Sequence, residues 1–237
     1  MSRLNKWPER PLLCYVTDRR ALSDEVSADP KEALLRDIEI VAAAGIAWIQ
    51  IREKDLSGKE CAALTREALQ RTAKFARNVP AARILLNDRL DIALAEHCAG
   101  VHLGENSLPV EDARHLATSR ASTTDFLYGV SCHSLHAAKS AAADGADYIF
   151  FGPIFATPSK AAFGEPQGLA RLSEICAAVN IPVLAIGGIT LANAAACFAT
   201  GAAGIAAIRL FQETVDTPSL VKSLRQAWHG AAGFTSE

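Results

Sequence analysis

The chain has no paired cysteines, no long apolar run, few aromatic residues and no excess of either charge. Cys14, Cys61, Cys98, Cys132, Cys176 and Cys197 are scattered, with no CxxC pair and no zinc-ligating spacing, so they read as reduced, mostly buried small hydrophobes. No apolar stretch reaches the roughly 18 residues that a membrane helix needs, and Met1–Arg10 lacks the apolar core of a signal peptide; a cytoplasmic location is expected. With 24 Lys and Arg against 26 Asp and Glu, the net charge of −2 offers no global attraction for nucleic acid or an anionic membrane. Any anionic ligand must then be held by local cations. Aromatics make up 6% of the residues and hydrophobics 50%, so the interior must be built mainly from Ala, Val, Ile and Leu, as parallel sheets covered by helices require.

What is present is a repeating pattern. Short apolar runs at Leu12–Val16, Trp48–Ile51, Ile84–Leu86, Gly100–Leu103, Leu127–Val130, Tyr148–Phe151, Val183–Ile186 and Gly204–Ile208 alternate with helical patterns. The first helix is predicted over Pro30–Ala44, ended by Gly45. Repeated strand–helix crossovers make the strands parallel, and eight of them predict a (β/α)₈ TIM barrel. With no linker in the 237 residues, one domain spanning residues 1–237 is expected, its barrel covering about 12–228.

In such a barrel the reactive groups gather where the strands end. In Gln50-Ile51-Arg52-Glu53-Lys54, period-two alternation places Gln50, Arg52 and Lys54 on one side if the extended geometry persists. Arg grips phosphate oxygens in pairs and Lys adds a compact charge, so the trio suits a phosphate ester or pyrophosphate. Asn87-Asp88 follows the third strand, where Asp88 has two readings: a Mg²⁺ ligand shared with a pyrophosphate, or the cap of the next helix. In Ser131-Cys132-His133, alternation turns Ser131 and His133 one way and Cys132 the other; His133 reads either as a proton-transfer group or as a structural histidine. The stretch from Pro153 to Pro166, carrying Thr157, Pro158, Ser159 and Lys160, is the longest irregular one and reads as a substrate lid. Gly187-Gly188 ends the seventh strand, a position where barrels often bind phosphate through backbone N–H groups.

The segments Gln50–Lys54, Asn87–Arg89, Gly100–Gly104, Gly129–His133, Phe151–Lys160 and Ala185–Ile189, in this order between about Leu12 and Phe211, resemble the thiamine phosphate synthase and thiazole tautomerase superfamily. The resemblance implies a transferase that joins hydroxymethylpyrimidine diphosphate to thiazole phosphate, or its carboxylate, and releases pyrophosphate. By position, Gln50, Arg52, Lys54, Asn87, Ser131 and Lys160 would hold the pyrimidine diphosphate, with Asp88 on Mg²⁺. Thr157, Pro158, Ser159, Gly187, Gly188, Ile208 and Arg209 would surround the thiazole phosphate. The implied partners are small-molecule phosphates and diphosphates, and a second copy of the chain in a homodimer.

Two positions depart from the synthase pattern. Ser107 stands where that pattern has an aspartate ligand to Mg²⁺, with Glu105 as a neighbouring carboxylate. Arg209 stands where it presents a serine, and would either strengthen phosphate binding or obstruct the pocket. The rival tautomerase needs no metal and would use His133, whereas a diphosphate substrate employs Arg52, Lys54, Asn87, Asp88 and Lys160 together. A third reading is a catalytically silent ligand-binding barrel.

Overall fold

The computed structural model describes residues 10–22, 29–76, 79–118, 125–157 and 165–232. Strands β1 (Leu12–Val16), β2 (Trp48–Ile51), β3 (Arg83–Asn87), β4 (Gly100–Leu103), β5 (Leu127–Cys132), β6 (Tyr148–Phe151), β7 (Val183–Ile186) and β8 (Gly204–Ala207) pair in parallel, in sequence order. The barrel closes where Leu12 of β1 meets Gly204 of β8. Between and after the strands lie α1 (Pro30–Ala43), α2 (Gly58–Ala73), α3 (Leu90–Ala95), α4 (Val110–Thr118), α5 (Leu135–Ala143), α6 (Gly168–Ala178), α7 (Leu191–Ala199), α8 (Arg209–Gln212) and α9 (Thr217–Ala232). The expected TIM barrel is the observed fold. No helix among the described residues is long and apolar enough to cross a membrane.

Period-two alternation builds two cores. Leu12, Cys14, Val16, Trp48, Leu85, Leu127, Tyr148, Phe150 and Leu184 fill the barrel interior, while their neighbours, such as Leu13, Tyr15, Ile49, Ile84 and Val101, pack under the helices. Large rings inside the barrel need small residues opposite. A Cβ on Gly129 would lie 2.1 Å from the Tyr148 ring, which itself rests against Trp48 at 4.6 Å between centroids.

Local chemistry sets the helix ends. The Asp29 side chain caps α1 by accepting from Lys31 N, with Pro30 in the first turn, and a Ser57–Glu60 capping box opens α2. Gly45 follows α1 at φ +79°, the left-handed conformation that glycine adopts without steric cost.

Strand ends differ slightly from the sequence expectation. β3 extends through Asn87 and β5 through Ser131 and Cys132, because each pairs with an already extended neighbour: Asn87 with His102, and Ser131 and Cys132 with Phe150 and Phe151. β8 stops at Ala207, since Ile208 turns to cap α8. The cysteines are free and mostly buried, and burial raises the thiols of Cys98, Cys132 and Cys197 to about 12.

Candidate active site

The inward parity that buries Trp48, Leu85 and Leu127 brings Gln50, Asn87, His102 and Ser131 into the next layer toward the strands' C-terminal ends. There polar groups replace apolar ones, and they pair. Gln50, 2% exposed, donates from Nε2 to Asn87 Oδ1 at 3.0 Å. His102 lies between Tyr148 (Nδ1 to the hydroxyl, 3.1 Å) and Ser131 (Nε2 to Oγ, 2.9 Å). Burial pushes this imidazole down to about 3, so it is neutral at physiological pH, donating at one nitrogen and accepting at the other.

Above this layer β2 ends at Ile51, and Lys54 lies in a turn, so the strict alternation expected across Gln50, Arg52 and Lys54 does not continue. Arg52 and Lys54 nonetheless face the same cleft of about 260 Å³, together with Asp18, Arg20, Glu53 and Asp55. The acids of this cleft are already committed. Glu53 accepts from Thr17 Oγ1 (2.7 Å), Arg19 N and Arg19 Nη1 (2.9 Å). Asp55 takes a two-pronged bond from Arg19 (2.7 and 2.6 Å) that holds its carboxyl down at about 2, and Asp18 accepts from Arg20 N. Arg52 and Lys54 have no side-chain partner among the described residues, so their charges are available to a ligand.

The Thr17 hydroxyl also accepts from Arg52 N at 2.9 Å, tying the end of β1 to the start of the Arg52 loop. Thr17 and Glu53, with His102 and Tyr148, are the supporting residues that motif reading overlooked. Glu53 sits between two cations and reads as part of a solvated turn, yet it is only 8% exposed. For His102 the available signal is its position two residues after Gly100 on β4, the spacing that keeps a side chain on one face of a strand.

Of the two readings of Asp88, helix capping is excluded, because α3 is preceded by Arg89 and has no side-chain cap bond. Asp88, at φ +59°, instead reaches across to the β4–α4 loop. Its Oδ1 accepts from Gly104 N (3.0 Å) and Ser107 Oγ (2.6 Å), and its Oδ2 accepts from Asn87 Nδ2 (2.7 Å). Ser107 is therefore the group facing Asp88, while Glu105 is exposed. Among the described residues no three of His, Cys, Asp or Glu stand together as a metal cluster.

Ser131 turns inward to His102, and Cys132 is fully buried in the outer core, as alternation predicts. His133 bonds through Nδ1 to the Gly152 carbonyl, which only accepts; Nδ1 thus carries a proton, and Nε2 is the nitrogen that this bond does not engage. Gly187 and Gly188 have φ +94° and +65°, and the start of the β6–α6 loop lies against them: Phe155 N donates to Gly187 O at 3.0 Å. Asn193 Nδ2 holds the Gly188 carbonyl at 3.0 Å. Thr157 is partly buried in that loop, whereas Pro158, Ser159 and Lys160 lie outside the described residues. Ile208 caps α8, and the half-exposed Arg209 side chain runs along the helix, 3.8 Å from Glu213.

The family described as thiamine monophosphate synthase matches residues 13–211. The chain is 42% identical to a thiamine-phosphate synthase of Methanoculleus marisnigri, over 78% of this chain and 83% of that protein. It is 37% identical to one of Roseiflexus castenholzii, over 91% and 87%. Among solved structures, thiamine phosphate pyrophosphorylase from Pyrococcus furiosus superposes with a TM-score of 0.75 at 29% identity, covering 93% of this chain and 96% of that one. A match over most of the barrel, from β1 to α8, establishes that the chain belongs to the thiamine monophosphate synthase family.

Proposed function

We propose that the protein joins hydroxymethylpyrimidine diphosphate to a thiazole phosphate at the C-terminal mouth of its barrel, as a transferase with thiamine-phosphate synthase activity. The observation that carries this reading is the pair of uncommitted cations, Arg52 and Lys54, on one cleft, in a chain of this family. The bond from the pyrimidine methylene carbon to the diphosphate oxygen breaks and its electron pair leaves with the oxygen. The thiazole nitrogen then donates its lone pair to the methylene carbon. No protein nucleophile is needed; the chain stabilises the departing anion and aligns two rings.

In this reading the Gln50–Asn87 amide pair and the Ser131 hydroxyl, oriented by neutral His102, bind the pyrimidine. Arg52 and Lys54 hold the diphosphate, and Lys160 joins them from the β6–α6 loop. Thr157, Pro158, Ser159, Gly187, Gly188, Ile208 and Arg209 enclose the thiazole phosphate. Mg²⁺ is commonly held through one or two carboxylates plus substrate phosphate oxygens, so Asp88 with the Ser107 hydroxyl fits an ion shared with the diphosphate. Such an ion, when bound, neutralises charge on the leaving group. The metal-free isomerase alternative is not favoured, since it leaves Arg52 and Lys54 without a use.

The test is pyrophosphate release by purified protein given both substrates, with and without Mg²⁺, with product followed by chromatography. Thiamine phosphate formed by the unaltered chain and lost in Arg52→Ala supports the reading. No product with either thiazole form sinks it.

A further inference from the structure

The charges at the barrel mouth bear on when a metal binds. Asp88 is a lone carboxylate whose oxygens are engaged by Gly104 N–H, the Ser107 hydroxyl and the Asn87 amide. Among the described residues nothing acidic completes a cluster around it. Arg52 and Lys54, which have no side-chain partner among the described residues, add positive charge on the same mouth, and the fields of both Arg52 and Asp88 reach His102. A bare divalent cation approaching this mouth must displace hydrogen bonds from one carboxylate while facing like charges. A diphosphate meets the opposite situation: two free cations attract it, and once seated it offers the hard anionic oxygens that Mg²⁺ prefers.

We infer that the free protein holds no divalent ion of its own and that the ion binds only with, or after, the diphosphate, because a hydroxyl rather than a carboxylate faces Asp88 at position 107. The inference rests on the diphosphate reading of the site. In the free protein the Ser107 hydroxyl does what an ion would do, satisfying Asp88 Oδ1 at 2.6 Å. An aspartate at 107 brings a second carboxylate to Asp88, where the two repel until a cation lies between them. Ser107→Asp therefore converts substrate-dependent metal binding into binding by the free protein.

The test uses Mn²⁺, which shares the oxygen ligands of Mg²⁺, and follows both ion and anion retained by the full chain on ultrafiltration, with broadening of the Mn²⁺ resonance as a second readout. The unaltered chain is expected to retain Mn²⁺ at least about tenfold more tightly when inorganic pyrophosphate is present, and Ser107→Asp to retain it without pyrophosphate and to melt higher on adding Mn²⁺ alone. Equal retention by the unaltered chain with and without pyrophosphate overturns the inference, as does a folded Ser107→Asp that binds free Mn²⁺ no better. The unaltered chain decides the binding order even if the variant does not fold. Pyrophosphate retained under no condition overturns the diphosphate reading itself, whatever the metal does.

Discussion

Replacing Gly188 by alanine tests both the fold and the site, because the position combines a left-handed backbone with crowding. At φ +65°, a Cβ would lie 2.6 Å from Ala156 O and 2.8 Å from Phe155 Cβ, on the loop that borders the barrel mouth. Gly201 provides a matched control at the opposite end of the barrel, between α7 and β8. It has φ +92°, and its added Cβ would meet only Cys176 Cβ, at 3.4 Å. For a non-glycine residue the left-handed conformation costs about 1–2 kcal/mol, and both variants carry that cost. Displacing the 155–156 backbone adds about 1–3 kcal/mol for Gly188→Ala alone. For a chain of this size each kcal/mol lowers the melting temperature by roughly 2–4 °C, so Gly188→Ala is expected to melt about 2–12 °C below Gly201→Ala. The displaced loop carries Thr157, so KM for the thiazole phosphate rises in Gly188→Ala and does not change in Gly201→Ala. Thermal melting and steady-state kinetics measure both effects. If the two variants melt together with unchanged KM values, the argument that the 155–156 backbone crowds Gly188 is refuted.

Two further outcomes follow from buried polar groups. Thr17→Val keeps the shape of the side chain but leaves Arg52 N–H without its acceptor and Glu53 without one donor, a loss of about 1–3 kcal/mol. It is expected to lower kcat/KM for the diphosphate roughly tenfold, with KM for the thiazole phosphate unchanged and recovery in Thr17→Ser; equal changes for both substrates would mean a merely structural role. Asp37 has a buried Oδ2 with no partner among the described residues, and burial raises its carboxyl to about 6. Its folded value therefore lies above its unfolded value, so the chain is most stable with Asp37 protonated and loses stability as pH rises from about 4 to about 6. Allowing for solvent screening of this partly buried group, the loss is about 1 kcal/mol. Asp37→Asn should remove that slope and raise the melting temperature at pH 8 by roughly 2–4 °C, and denaturant titrations at several pH values measure it. A slope that persists in the variant assigns it to another group.

Much of the barrel was legible from local pattern. A run such as Trp48–Ile51 is extended because its apolar residues alternate between two cores, and Gly45 ends α1 because it accepts a positive φ. The same parity foresaw that Ser131 turns inward and Cys132 outward. Motif reading placed Arg52 and Lys54 at the mouth, but not the reason they stay uncommitted. That depends on Arg19 and Arg20 occupying the neighbouring acids Glu53 and Asp55 from a different strand end.

The sequence by itself determined the strand–helix alternation, the inward and outward faces and the strand ends at which polar residues collect, because these follow from periods of two and 3.6 residues within one segment. Only the tertiary structure decided which of those residues meet. Ser107 reaches Asp88 across 19 positions, Thr17 reaches Glu53 across 36 and His102 reaches Tyr148 across 46. The first two contacts exist because strand pairing sets neighbouring strand ends side by side, and the third because the closed barrel turns side chains of β4 and β6 into one interior, distances that no local pattern encodes.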